Sequence, residues 1–148
     1  MILTVDAKVD NWGQVLEFID EQLQAQNCPM RAMLEIDVAA EEIFVNVASY
    51  AYESGVGTVD VKIDFEDNPK AVVIRFSDRG MPYDPLKKAD PDITLPAEKR
   101  QIGGLGIYMV KKSMDGVFYE YKDGQNHLTI RKLFERSKPS FLTKAKEK

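Results

Sequence analysis

The longest apolar pattern in the chain begins near Met30 and predicts a helix that continues to about Glu53. Apolar residues fall on almost every side of a 3.6-residue period, so this helix is expected to be buried nearly all round. Ser54-Gly55 indicates its end, because glycine suits the left-handed conformation that follows many helices. The rest of the chain is expected to pack around this element.

A shorter helical pattern precedes it. Apolar residues recur at helical spacing from Trp12 to about Gln26, with Asn11 as the predicted N-cap. Cys28-Pro29 then separates the two helices. At the N-terminus, the short apolar stretch ILTV at positions 2–5 is typical of an edge strand.

Alternation of apolar and polar residues predicts two β-hairpins in the remaining chain. The first joins a strand over residues 59–65 to a second strand over 71–77. The second joins residues 116–121 to residues 127–134 around the turn Asp123-Gly124. The two hairpins are expected to belong to one sheet.

Length and charge predict one domain followed by a tail. A chain of 148 residues can bury roughly 68–70% of its unfolded surface in a single core, and we place this domain at residues 1–134. From residue 131 to the end there are seven Lys/Arg and two Asp/Glu, within a chain of net charge −4. Residues 135–148 are therefore interpreted as a basic, flexible tail. Few aromatic residues interleave with these charges, so direct nucleic-acid binding is not expected.

Several classes of protein are excluded by composition. No stretch reaches the roughly 20 apolar residues of a membrane span, and the N-terminus lacks the pattern of a signal peptide. The single cysteine, Cys28, cannot form an internal disulfide, and the single histidine, His127, leaves no zinc-binding set. We therefore expect a cytoplasmic protein without a membrane partner.

Glu42 and Asn46 are polar residues inside the apolar pattern of the long helix. Because they are four residues apart, a carboxylate and a carboxamide share one helix face and can reach one ligand. An unpaired buried carboxylate costs several kcal/mol, so a compensating partner is expected. A hydrated Mg²⁺ that carries phosphates is one candidate. The alternative is a surface acid at Glu42 and an Asn46 side chain bonded to nearby backbone.

Asp78 and Gly80 follow the second strand of the first hairpin. A carboxylate at the end of a strand lies at the lip of the sheet, where it can accept a hydrogen bond from an exocyclic amine such as that of adenine. Asp and Gly are also the commonest turn formers, so a simple turn is the alternative interpretation.

A long polar stretch over residues 85–100 contains Pro91 and Pro96 and shows no clean period, which is typical of a lid, a binding loop or disorder. It leads into residues 102–114, where glycines precede an amphipathic helix. Backbone N–H groups at such a helix start can hold phosphate oxygens. Neither the P-loop pattern nor the dinucleotide fingerprint fits, and a flexible loop that enters a helix is the alternative.

Taken in order, these motifs resemble a known family. E-x-x-x-N on a helix, D-x-G-x-P after a strand and G-G-L-G-I at a helix start resemble the ATP-binding fold of gyrase, histidine kinases and mismatch-repair ATPases, called the GHKL or Bergerat fold. The segments EEIFVNVASYAY, SDRGMPYDP and GGLGIYMVKKSMD are most similar to bacterial anti-sigma factors of the serine-protein kinase type. The resemblance spans about Val9 to Phe134. It implies an α+β, two-layer sandwich with a mixed, mostly antiparallel sheet covered on one face by helices.

The resemblance also implies a role for each motif residue. Asn46 would ligate Mg²⁺, Asp78 would bind the adenine amine, and Glu42 would activate the attacking hydroxyl of a protein serine. The other contacts to ATP are implied for the lid and glycine residues and for the turn after the strand: Gly80, Pro82, Arg100, Gly103, Gly104, Leu105 and Gly106.

The function implied is that of an ATP-binding anti-sigma factor, which binds a sigma factor and phosphorylates a serine of an anti-anti-sigma protein. The alternative is a nucleotide-dependent binding module of the same fold without kinase activity. One departure bears on this choice, since Tyr50 stands where many relatives carry His or Arg. The oligomeric state is left open, and a homodimer is one option.

Overall fold

Five strands make up one sheet in the part of the chain that the structure, a computed structural model, describes: residues 1–52, 57–87 and 105–135. The strands are β1 (Ile2–Asp6), β2 (Thr58–Glu66), β3 (Ala71–Asp78), β4 (Gly116–Lys122) and β5 (Gln125–Leu133). Their order is β1-β2-β3-β5-β4, and each neighbouring pair is antiparallel. Both predicted hairpins and the predicted edge strand are therefore present.

Three helices cover one face of this sheet within the described residues. They are α1 (Trp12–Ala25), α2 (Met30–Tyr50) and α3 (Leu105–Ser113). The core lies between the layers, where alternate residues of the central strands, such as Val61, Ile74 and Ile130, are fully buried. The predicted α+β sandwich is confirmed. No helix in the described ranges is long and apolar enough to cross a membrane.

Helix α2 is less enclosed than its sequence predicts. Leu34 and Val38 are 57% and 68% exposed, although Ile36 and Phe44 are fully buried. The expectation of burial nearly all round was wrong because α2 lies on the sheet, and its neighbours leave one stripe of the helix open to solvent. The helix also ends at Tyr50 rather than at Glu53, and residue 53 is outside the described residues.

The predicted N-cap of α1 is at the expected position but does not cap through its side chain. Asn11 precedes the helix, yet its side-chain amide donates to the Asp6 carbonyl at 2.9 Å. This hydrogen bond connects the end of β1 to the start of α1. The Asn11 side chain therefore bonds to the preceding strand instead of capping the first turn of α1, which is the bond that N-cap preferences favour.

A buried lysine joins three elements on the helical side of the sheet. The Lys132 ammonium donates to the Glu35 carboxylate at 2.9 Å and to the Ser113 carbonyl at 2.6 Å. Glu35 also pairs with Arg31 at 2.8 Å. The hydrogen bond from Lys132 is the main cause that lowers the pKa of Glu35. These contacts connect β5 to α2 and to the last turn of α3.

Two carboxyl groups face each other between α1 and α2. The Oδ1 atoms of Asp20 and Asp37 are both buried, and neither has a hydrogen-bond partner among the described residues. Burial raises the pKa of Asp37 from its ordinary value of 3.8 to about 8, and the neighbouring Asp20 carboxyl group contributes to the rise. Both causes favour the protonated form, so the folded protein holds a proton at this pair of carboxyl groups.

This proton makes stability depend on pH. Between pH 3.8 and about 8 the folded protein holds a proton on Asp37 that the unfolded chain has released, so stability falls as pH rises. We expect Asp37→Asn to flatten this decline in denaturant melts and to stabilise the protein at pH 8 by about 1 kcal/mol. Glu21→Gln removes one charge from an exposed position of α1 and should leave the slope unchanged. An unaltered slope in the Asp37 variant would contradict the shared proton.

Candidate functional site

A cavity that opens to solvent, with about 530 Å³ of empty space including the solvent at its mouth, lies between α2, the end of β3 and strand β5. Its walls are mainly apolar and include Ile43, Phe76 and Leu128. Only a few polar side chains reach it, chiefly Asn46 and Asp78 from the predicted site. A largely apolar cleft with few polar groups is typical of a small-molecule site, and a flat aromatic ring suits such walls.

Asp78 presents one carboxylate oxygen to partners within the protein. Its Oδ1 atom accepts hydrogen bonds from the Gly80 backbone N–H at 2.9 Å and from the Asn126 side-chain amide at 3.0 Å. No described residue donates to Oδ2, although Asp78 as a whole residue is only 6% exposed. Asp78 therefore brings an acceptor without a partner to an apolar cavity.

Gly80 permits a close backbone contact, though not one with the cavity. A Cβ atom at this position would collide with the carbonyl group of Ala51, which follows α2. The next residue, Met81, donates its backbone N–H to the same carbonyl oxygen at 3.0 Å. Glycine is thus required where the turn after β3 crosses the end of α2. Pro82, in the same turn, is exposed and does not line the cavity.

Asn46 lines the cavity from the last turns of α2, on the wall that also carries Tyr50. No described residue forms a hydrogen bond with the Asn46 side chain, so its carboxamide oxygen can accept a ligand. The Tyr50 ring is largely exposed and also lines the cavity, so an aromatic group stands where the family resemblance leads one to expect a polar contact.

Glu42 faces a different space from Asn46. Its carboxylate lies against Gly106 in the first turn of α3, where an added Cβ atom would collide with it. It borders an open groove of about 1090 Å³ between α2 and α3, whose walls include Val38 and Met109. The two residues are one helical turn apart, but their side chains enter two adjacent depressions rather than one.

The remaining predicted site residues are only partly described. Arg100, Gly103 and Gly104 lie outside the described residues, and their contacts with a nucleotide stay predictions. Leu105 is the first residue of α3. Within the described part of the chain, no three His, Cys, Asp or Glu side chains gather into a metal site.

Comparisons with known proteins agree with this geometry. A family model described as the histidine kinase-like ATPase domain matches residues 5–132. The chain belongs to this family. The resemblance recognised from the three motifs is therefore confirmed.

The relatives of this ATPase domain include proteins named as kinases. Serine/threonine-protein kinase BtrW of Bordetella bronchiseptica is 26% identical over 100 residues, which cover 68% of this chain and 70% of that protein. Serine-protein kinase RsbW of Bacillus thuringiensis and of Bacillus cereus is 26% identical over 96 residues, or 64% of this chain. The matched region is 60% of the length of each Bacillus protein.

Sequence reasoning missed Asn126, which is buried beside Asp78 in this ATPase domain. Apolar residues of β5 alternate toward the core, and Asn126 occupies one of those inward positions with Leu128 and Ile130. A polar residue in phase with a buried apolar series was the available signal. His127, the residue singled out in the sequence, instead contacts Ser77 at 2.7 Å and does not line the cavity.

A substitution at Gly80 tests the backbone contact between the turn after β3 and the end of α2. Because the added methyl group would meet backbone atoms of Ala51, Gly80→Ala should destabilise the protein by about 1–3 kcal/mol in urea denaturation. Gly13→Ala is the matched control, since a Cβ on Gly13 meets no atom within 4 Å. In a helix that change should be neutral or stabilise by roughly 0.5–1 kcal/mol. Equal effects of the two changes would argue against the contact.

Proposed function

We propose that this ATPase domain binds Mg·ATP in the apolar cavity and transfers the γ-phosphate to a serine of a partner protein. The observation that carries the nucleotide part is the unpartnered Oδ2 atom of Asp78 in an apolar cavity. An exocyclic amine of a purine supplies the donor that this atom lacks. The apolar walls, among them Ile43 and Ile107, suit the two faces of the ring.

Asn46 is the residue that we propose as the protein ligand of Mg²⁺. Its carboxamide is free of partners among the described residues and lines the cavity that also holds Asp78. Mg²⁺ in nucleotide sites keeps several waters and binds phosphates, so a single protein oxygen is a sufficient contribution. The lack of a carboxylate cluster in the described residues agrees with such a site. When bound, Mg·ATP supplies the phosphoryl group and neutralises part of its charge.

Glu42 is the proposed general base. It lies one helical turn before Asn46, and its carboxylate borders the open groove through which another protein can approach. Phosphoryl transfer depends mainly on positioning, with a carboxylate that orients or deprotonates the attacking hydroxyl. In this arrangement Asn46 holds the metal, and Glu42, one turn earlier on the same helix face, accepts the serine proton. Arg100, Gly103 and Gly104 are proposed to contact the phosphates.

The proposed partners are a sigma factor and an anti-anti-sigma protein, and the serine belongs to the latter. The names of the relatives, which specify serine-protein kinases, support the transfer reaction. A second function is a nucleotide-dependent binding module without transfer. It is favoured by one observation, since Glu42 does not line the cavity that contains Asn46 and Asp78.

Asn46→Ala tests the metal assignment. The change removes one oxygen ligand, so calorimetric titration should show weaker binding of Mg·ATP by about tenfold, while ATP in the presence of a chelator should bind almost as well as it does to the wild type. Ser49→Ala, at an exposed position of the same helix, should change neither affinity. If the folded Asn46 variant binds Mg·ATP like the wild type, Asn46 is not the ligand.

Glu42→Gln separates the two functions. Glutamine keeps the size of the side chain but cannot take a proton, so ATP should still bind while transfer of labelled phosphate to a candidate antagonist falls by roughly 10²–10⁴-fold. Glu41→Gln removes the same charge from an exposed neighbouring position and should leave transfer unchanged. Wild-type protein that binds ATP and a sigma factor but phosphorylates no candidate antagonist would establish the binding module. Wild-type rates in the Glu42 variant would remove Glu42 from the mechanism.

A further inference from the structure

The Asn126 side chain forms hydrogen bonds with several residues around the cavity. Its side-chain amide donates to Asp78 Oδ1 at 3.0 Å and to the Met81 carbonyl at 2.9 Å, with a longer contact to the Gly80 carbonyl at 3.4 Å. Its own carbonyl oxygen accepts from the Tyr83 backbone N–H at 3.1 Å and from the Tyr119 hydroxyl. All these partners lie on the rim or the walls of the cavity.

These partners determine the orientation of the Asn126 side chain. A backbone N–H can only donate, so the atom that faces Tyr83 must be the carbonyl oxygen. A backbone carbonyl can only accept, so the atom that faces Met81 must be the amide nitrogen. The opposite assignment would place donor against donor and acceptor against acceptor. Asn126 therefore presents a donor to Asp78 and not an acceptor.

The two carboxylate oxygens of Asp78 differ in their hydrogen bonds. Oδ1 already accepts two hydrogen bonds, from Gly80 and from Asn126, whereas no described residue donates to Oδ2. These two donors hold the carboxylate in one orientation, with Oδ2 as the oxygen left for a ligand. A carboxylate oxygen accepts hydrogen bonds and does not donate them.

We infer that Asn126 is a positioning residue that fixes the base specificity of this site, by holding the Asp78 carboxylate in the orientation in which Oδ2 selects purines with an exocyclic amine at the reading position. The inference rests on the proposed nucleotide function. Adenine presents a donor amine at that position and guanine presents an acceptor oxygen, so the oriented Oδ2 pairs with adenine and is left unpaired by guanine. Asp78 makes the contact to the base, and Asn126 determines the orientation of the carboxylate that makes it.

Asn126→Leu keeps the approximate size of the side chain and removes all its hydrogen bonds. We expect calorimetric titration to show that the ratio of GTP to ATP dissociation constants falls by about tenfold or more, because the Asp78 carboxylate loses the donor that holds its orientation and Oδ2 no longer faces the amine. A residue with only a packing role would weaken both nucleotides equally and leave that ratio unchanged. Gln125→Leu is the matched control, since it makes the same exchange at the neighbouring β5 position on the opposite face of the sheet.

Asn126→Asp is the second variant, and it is informative even if the leucine variant does not fold. It places a carboxyl group about 3 Å from Asp78, and two such groups share a proton rather than ionise together. At low pH the shared proton restores a donor toward Asp78. At high pH the two charges repel and displace the reading oxygen. ATP binding by this variant should therefore weaken as pH rises from about 5.5 to 8.5, whereas wild-type binding changes far less.

Several titratable groups of the described chain face Asn126. The groups that face it come from three parts of the described chain: Asp78 of β3, Tyr119 and Tyr121 of β4, and Tyr83 and Asp84 of the segment after β3. Burial raises the pKa of Tyr119, so its hydroxyl remains a donor throughout this range. The wild-type protein therefore serves as the reference for any pH effect of the nucleotide itself.

The outcomes distinguish failure of the inference from failure of the function. If the wild type binds no adenine nucleotide, the proposed function fails. If the wild type prefers ATP to GTP and Asn126→Leu retains the same preference, the function stands and the inference about Asn126 is wrong. Affinity of Asn126→Asp for ATP that matches the wild type at every pH would also overturn it. Reduced selectivity in the first variant and a pH-dependent affinity in the second would support it.

Discussion

Burial of the Asp78 carboxylate is the constraint on which the architecture of the site depends. The residue is only 6% exposed, and a carboxylate taken out of water costs several kcal/mol unless donors replace the lost hydration. One donor comes from the turn at Gly80 and the other from Asn126 across the β3–β5 pair. The Gly80 donor is local to the turn, whereas the Asn126 donor is available only in the register that pairs Asp78 with Asn126, because a slip of one residue would turn Asn126 to the opposite face.

The end of α2 is held against the same turn. The hydrogen bond from Met81 to the Ala51 carbonyl, together with the close crossing at Gly80, fixes the last turns of α2 relative to the end of β3. Asn46 is in those last turns. The distance between Asn46 and Asp78, the proposed metal ligand and the proposed base-reading residue, is therefore set by backbone contacts, which vary less than side-chain contacts between long, flexible residues.

The opposite end of the site is positioned by the buried Lys132. Its contacts with Glu35 and Ser113 connect β5 to α2 and to the end of α3, and α3 begins at the position where Gly106 lies against Glu42. A buried ion pair contributes little net stability compared with apolar packing, but loss of one partner would leave a buried charge uncompensated. The pair therefore disfavours other placements of the end of α3 relative to α2 and β5.

The sequence by itself determined the elements and the family. The 3.6-residue period of α2, the alternation in both hairpins and the order of the three motifs identified the ATP-binding fold, because these signals are local and repeat along the chain. They also placed Asp78 at a strand end and Asn46 on the core helix. Tertiary structure decided what local patterns cannot encode: the open stripe on α2 at Leu34 and Val38, the separation of Glu42 from the cavity, and the pairing of Asp78 with Asn126. Each of these depends on residues far apart in the chain, and strand register and helix packing bring them together only in the folded protein.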